Sequence, residues 1–339
     1  MGMRDVAVVS FARRVEPRFE LDEVEMLAPC IAEALAAAGL ERRDVGFTVS
    51  GSCDYLQGRP FSFVTTLDAV GAWPPIRESH VEMDGAWALY EAWVALQHGD
   101  IDVALVYAFG RSTQGDLAEI LGAQLDPYCV APLGIDATSL AALQARAMLD
   151  AGRCTERDMA TVAARAHGED AGVLLARPYV AAPLRQHDCA PPADGVAAVV
   201  LVAGDRARAC SARPAWIRGI DHRVEPHALG TRDLTRSRSV EIAAEKAGVG
   251  ARPVDVLELD TPFSHQELLV REALGLRDSK GVVNPSGGPL AAWPYIVSGL
   301  LRIGEASRRI HAGEASRAVA HATSGPCLQQ NLVCVLEAD

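Results

Sequence analysis

Apolar and polar positions along this chain follow two periods, and each change of period marks an element. Asp5 to Phe11 and Val103 to Phe109 are nearly unbroken apolar runs, as expected of strands in a sheet covered on both faces. Val45 to Ser52 and His80 to Asp84 are read as two further strands. Between them, apolar residues recur every three or four positions. About Asp22 to Ala38 a helix is predicted, with Gly39 placed for its C-terminal cap and Pro29 as an internal kink. Gly85 to His98 carries a buried helical stripe of Leu89, Ala92, Trp93 and Leu96, and follows its strand without a break. The pattern then repeats. Val196 to Ala203, Trp216 to Ile220 and Val256 to Asp260 read as strands, with helices at Ser237 to Ala247 and about Ser264 to Leu274. Val319 to Thr323 and Leu332 to Leu336 are the last strands.

The stretch from Val283 to Ala306 stands apart. Two adjacent glycines, Gly287 and Gly288, follow a short strand-like run and lead into a long predicted helix. Pro294 suits its first turn, Ile296, Leu300, Ile303 and Ile310 recur along it, and Gly313 closes it. Such a turn brings backbone close to whatever binds at the helix start. Residues 112–192, between the two similar halves, are helical and loop-rich, and read as a cap inserted over a shared site.

Composition narrows this picture. At 339 residues the chain exceeds the usual size of one hydrophobic core, so two halves are expected, 1–205 with the cap and 206–339. Apolar residues at 49% with aromatics at 5% favour close-packed helices on sheets. The net charge of -12 argues against nucleic acid, and a coenzyme A thioester would need a local basic patch for its phosphates. No apolar run is long enough for a membrane span, and the start, MGMRDVAVVSF, lacks a signal-peptide pattern. Eight cysteines without CxxC pairs read as reduced, mostly buried thiols of a cytoplasmic protein, with no zinc or other metal site.

Four strings in order carry a resemblance. They are HVEMDGAWALYEAWVALQHGDIDVALVYAFG, PPADGVAAVVLV, VLELDTPFSHQELLVREALGL and VNPSGGPLAAWPYIVSGLLRIGEA. The last resembles the NxxGGxxxxGHPxGxxG segment of thiolases. Together they are similar to the lipid-transfer (sterol-carrier) branch of the thiolase superfamily, above all to actinobacterial proteins of sterol side-chain degradation. The resemblance implies an α/β thiolase fold, two similar halves in five layers with an inserted cap, and an acyl-CoA ligand with no cofactor besides. It also implies a homodimer or a heteromer with a thiolase-like protein, and a small OB-fold partner carrying a zinc ribbon. The dimer is expected through the strand near Val103 to Ala108, taken as a sheet edge.

The family's reactive positions are replaced one by one. Aligned on Gly85 and Gly99, Glu82 occupies the slot of the nucleophilic cysteine at a helix N-terminus, where free N–H groups favour an anion. It is read as a functional carboxylate or a helix cap, and Asp84 as a cap. Asp260-Thr261-Pro262-Phe263 replaces the asparagine motif, and His265 follows as an acid–base group or a loop-bonding histidine. Trp293 takes the slot of the catalytic histidine and would wall an apolar substrate. Tyr295 offers a hydroxyl in the first turn of the long helix, as an acid–base group or a core tyrosine. Thr323 takes the last cysteine's slot, while Cys327 lies four residues on and Gly325 offers a backbone N–H.

An acyl-cysteine condensation is therefore excluded at the family's own slots. Three functions remain open. The first is retro-aldol cleavage of a β-hydroxyacyl-CoA from a sterol side chain, in a cleft between the Glu82 helix start and Gly287-Gly288. Tyr295 would work at the hydroxyl, Asp260 or His265 would set its protonation, and N–H groups near Gly288 or Gly325 would hold the enolate. The second is an acyltransferase with a relocated nucleophile such as Cys327. The third is a non-catalytic lipid-binding or scaffold subunit.

Overall fold

The computed structural model describes residues 3–73 and 75–339. The first part of the chain gives β1 (Val6–Glu16), α1 (Glu23–Ala37), β2 (Phe47–Gly51), the short α2 (Asp54–Gln57) and α3 (Leu67–Val70), β3 (Glu78–Val81), α4 (Gly85–His98) and β4 (Val103–Arg111). The cap follows as α5 (Leu117–Ala123), α6 (Ala137–Asp150), α7 (Glu156–His167), α8 (Ala171–Leu175) and the hairpin β5 (Tyr179–Ala181) with β6 (Leu184–Arg185). After β7 (Asp194–Ala203) come α9 (Arg206–Cys210), β8 (Ala215–Val224), α10 (Arg238–Ala247), β9 (Val256–Leu259), α11 (Ser264–Ala273) and β10 (Val282–Val283). The chain finishes with α12 (Gly288–Ala291), α13 (Ser298–His311), β11 (Arg317–Ser324) and β12 (Gln330–Glu337).

Hydrogen bonding runs through ten strands in the order β10-β9-β11-β12-β8-β1-β7-β4-β2-β3. Read outward from the middle, one side is β1-β7-β4-β2-β3 and the other β8-β12-β11-β9-β10, the same order twice. In each, the second strand runs parallel to the third and fourth. The last strand runs antiparallel to the first and fourth. The sides join where Ala7 and Val8 pair with Trp216 and Ala215. Leu27 and Ile31 of α1 pack on the outer face of the first side, and Val240 and Leu269 of α10 and α11 on that of the second. Between the two inner faces lie α4 and α13, in one core that draws on strands of both sides. This is a mixed α/β architecture of five layers with a cap.

The central helices fit because each has a glycine in its first turn. A Cβ on Gly85 would lie 2.6 Å from Ala108 Cβ of β4, and one on Gly299 would lie 2.5 Å from Ala322 Cβ of β11. Each helix start is thus pressed against the fourth strand of its own side, an approach no larger residue allows.

Two expectations are corrected here. Val103 to Ala108 is no edge: β4 is hydrogen-bonded on both flanks, by β2 and β7, and the edges are β3 and β10. An apolar strand with both faces and both flanks covered cannot offer a surface for self-association. The long helix also starts at Ser298, not at Pro294, so Tyr295 lies outside its first turn. Residues 292–297 form a strap instead, because other parts of the chain take its backbone groups. Among the described residues no helix is long and apolar enough to cross a membrane.

Candidate active site

The strap is built by bonds from afar. Trp293 N–H donates to Pro191 O (2.9 Å), Ala193 N–H to Trp293 O (3.2 Å), and Gly85 N–H to Ile296 O (2.9 Å). Tyr295 N–H donates to Ser112 Oγ at 2.9 Å. Ile296 takes φ +76°, a left-handed value costly for a β-branched residue, which the surrounding bonds hold in place. The strap therefore lies across the start of α4, with the side chains of Trp293 and Tyr295 carried to one side of it.

Beneath the strap a single carboxylate caps both central helices. Asp84 accepts from Ala86 N (2.8 Å) at the start of α4, and from Gly299 N (2.8 Å) and Leu300 N (3.1 Å) at the start of α13. Asp260, also buried, accepts from Ser298 Oγ at 2.7 Å and from Thr323 N at 3.4 Å. Burial pushes both carboxyls above the usual range, and for Asp84 the neighbouring Asp260 charge adds to it. Asp260 is thus a buried structural neighbour of the site and lies below its surface.

Above this pair opens a cleft of about 370 Å³ that Glu82, Trp293, Tyr295, Thr323, Gly325 and Cys327 all help to line. Parallel strands explain the position of Glu82. Gly51 of β2 pairs with Val81 of β3, so the residues after each strand, Cys53 and Glu82, emerge side by side. Glu82 accepts the Asp54 backbone N–H, and burial by the cleft walls raises its carboxyl. Across from it, Tyr295 donates its hydroxyl to Gln124 Oε1 at 2.7 Å, and Gln124 Nε2 donates to Cys53 Sγ at 3.3 Å. Burial raises the Tyr295 phenol. It is a hydrogen-bond donor at neutral pH, not a base. Phe263, Leu125 and Met83 complete the apolar wall beside Trp293.

On the far side, Gly325, Cys327 and Leu328 all take positive φ, at +75°, +53° and +58°. Arg232 holds that loop through Pro326 O (2.9 Å) and Cys327 O (3.3 Å). Both thiols at the cleft are pushed up to about 11, chiefly by burial. Neither is a resting thiolate.

Three expected site residues are elsewhere. His265 is fully buried on α11, bonded at Nε2 to Gln144 Oε1 (3.2 Å), and burial lowers it to about 3, so it is a neutral interior group. It is Gln266, the next residue, that reaches the cleft. Gly287 and Gly288 do not line the cleft either. Their turn is fixed from below by Glu258, which accepts from Ser286 and pairs with Arg302 at 3.0 Å. A Cβ on Gly288 would lie 2.7 Å from Asn284 Nδ2, so packing there explains the glycine. The sequence reading missed Cys53 and Gln124. Cys53 was findable, as the first cysteine beyond a strand parallel to that of Glu82. Gln124 sits in the cap, where no sequence signal points to it.

No family model matches the chain. It is 26% identical to an acetyl-CoA acetyltransferase of Methanothermobacter thermautotrophicus over 84% of this chain and 85% of that protein. Among solved structures it superposes on an Ltp2-ChsH2(DUF35) aldolase with a TM-score of 0.82 at 20% identity, covering 99% of this chain and 98% of that one. It superposes on human mitochondrial 3-ketoacyl-CoA thiolase with a TM-score of 0.75 at 15% identity, covering 99% of each. The chain has the thiolase fold, and its similarity to the acetyl-CoA acetyltransferase runs along most of its length.

Proposed function

We propose that the chain acts on an acyl-CoA thioester and cleaves a β-hydroxyacyl-CoA, derived from a sterol side chain, by retro-aldol chemistry. The observation that carries this is the pairing, in one apolar-walled cleft, of a carboxylate at Glu82 with a protonated phenol at Tyr295, while both nearby thiols stay protonated. Retro-aldol cleavage asks for a base and an enolate stabiliser, and for no nucleophile. Glu82 takes the β-hydroxyl proton, and the O–H electron pair becomes the new carbonyl. The Cα–Cβ pair passes into the thioester enolate, which the Tyr295 hydroxyl and a backbone N–H near Gly325 hold. Return of the proton from Glu82 to Cα completes a ketone or aldehyde and a shorter acyl-CoA. Trp293 shapes the apolar wall. The fold is shared by a solved aldolase as well as by a solved thiolase, and the lack of a resting thiolate at the cleft favours the aldolase-type reaction.

We place a partner subunit beside the chain by the same analogy, and self-association on the edge strand β3, where Phe63 stacks on His80 between exposed Phe61 and Val64. The test is an assay of the protein, alone and with an OB-fold zinc-ribbon partner, against a panel of β-hydroxyacyl-CoA thioesters. Cleavage that falls roughly 10²-fold or more in Tyr295→Phe, with KM nearly unchanged, is the expected result. No cleavage in either setting overturns the reading in favour of a scaffold.

A further inference from the structure

The cleft holds two groups that the proposed chemistry does not use, Cys53 and Gln124, and both stand between the two that it does. Tyr295 donates to Gln124 Oε1 (2.7 Å), and Gln124 donates to Cys53 Sγ (3.3 Å). The Cys53 thiol in turn stands beside the Glu82 carboxylate, where the parallel strands β2 and β3 end next to each other at the cleft. The two bonds and this juxtaposition set the four groups in a row from the carboxylate to the phenol. Its two middle members are both two-sided, since a thiol can donate or accept and an amide can turn its oxygen or its nitrogen to either neighbour.

We infer that Glu82, Cys53, Gln124 and Tyr295 form a reversible hydrogen-bond relay, in which proton uptake by Glu82 turns the Tyr295 hydroxyl hydrogen from Gln124 towards the cleft. The inference rests on the retro-aldol reading for its use, though not for its existence. An ionised Glu82 can only accept, so it fixes the thiol hydrogen towards itself. Sulfur then accepts from the Gln124 amide nitrogen, and the amide oxygen takes the phenol hydrogen, the arrangement observed. A protonated Glu82 donates to sulfur instead. The thiol then donates to the amide oxygen, the flipped amide nitrogen donates to the phenol oxygen, and the phenol hydrogen is left to face the cleft.

No proton crosses the amide. The change is two hydrogen rotations and one amide flip, and the only proton transferred is the one that Glu82 takes from the substrate hydroxyl. The enolate therefore forms at the moment Tyr295 becomes free to donate to it, and return of the proton to Cα resets the chain. Burial raises both the thiol and the phenol, so the middle of the relay carries hydrogens without ionising near neutral pH. Besides Cys53, which faces both, the charged or titratable groups facing Glu82 are Asp54, which raises it, and His80, which lowers it; Asp84 and Glu82 face Tyr295. In this scheme Gln124 and Cys53 are positioning residues.

The test uses infrared spectroscopy of the full chain without substrate. The S–H stretch of Cys53, assigned by difference from Cys53→Ala, should shift with pH as Glu82 titrates. It should lose that shift in Glu82→Gln, and change position in Gln124→Leu. In turnover, Gln124→Leu and Cys53→Ala should each lower kcat roughly 10-fold with KM nearly unchanged, and Cys53→Ser, which keeps a two-sided group, should restore most of it. A Cys53 band that ignores pH across the Glu82 titration overturns the relay. So does a Cys53→Ser enzyme no better than Cys53→Ala. A wild-type protein that cleaves no thioester yet shows the coupled band keeps the relay and sinks only the reaction assigned to it.

Discussion

The two sides of the molecule repeat one strand order and differ most where the third strand meets the central helix. On the first side, β3 ends at Val81 and α4 begins at Gly85, with only residues 82–84 between them. On the second, β10 ends at Val283 and α13 begins at Ser298, leaving residues 284–297 as a long connection. The short link sets Glu82 at a fixed point beside a strand end. The long one becomes the strap that crosses to the other helix and delivers Trp293 and Tyr295. Duplication supplies the frame, and its one large asymmetry supplies the groups that differ in chemistry.

That contrast can be broken at several points. The largest effect is expected at the short link. Glu82→Gln should lower turnover of a cleaved β-hydroxyacyl-CoA by roughly 10²–10⁴-fold, about 3–5 kcal/mol of barrier, with KM nearly unchanged. Steady-state kinetics would check it, and a fall in KM-dependent binding alone would remove Glu82 as the base. Next is the cap shared by both helices. Asp84→Ala leaves three buried N–H groups without their acceptor and should cost about 3–5 kcal/mol in urea unfolding.

The frame itself makes a smaller prediction. Gly85→Ala and Gly299→Ala each meet an alanine Cβ on the fourth strand, the first also Leu300 and the second also the Asp84 carboxylate, and should each cost about 1–3 kcal/mol by thermal or urea unfolding. A large cost at one and none at the other would mean that the two helix starts are not equivalent. The smallest effect concerns pH. Asp84 and Asp260 are raised in the folded chain, so the folded state binds their protons more tightly than the unfolded one. Stability present below about pH 4 should decline as pH rises through their raised values, against a background set by other groups. Asp260→Asn removes one of the two charges and should flatten that decline in a series of urea titrations.

Much of the frame could be read from the chain. Gly85 to His98 was legible to the residue, because a strand-like run ends directly in a helical stripe with glycine at each end. The start of α13 was not. Pro294 and Ile296 look helical locally, yet Pro191, Ser112 and Gly85 take the strap's backbone bonds from far along the chain, and local preference yields to them. Burial was equally hidden. His265 and Gln266 are neighbours of similar polarity, and only tertiary packing decides that one is an interior imidazole and the other faces the cleft. Glu82 was found because its slot is set by a strand end and a helix start, both visible in sequence. Gln124 was missed because it reaches the site from a cap whose placement no local pattern records.

The shared central layer also bears on how the chain is made. Leu300 and Ile303 of α13 belong to the same core as Val8, Val106 and Leu201, so the inner face of the first-formed sheet is covered only when the later helix arrives. During synthesis β1 finds its partner β7 after about two hundred residues, yet the apolar face they build then waits for residues 298–311. A nascent chain paused after β7 would hold paired strands with a sticky inner surface, in need of a chaperone or of rapid elongation. The same interleaving means that a nick between the sides leaves them clasped, since each keeps hold of a helix that the other's sheet is packed on.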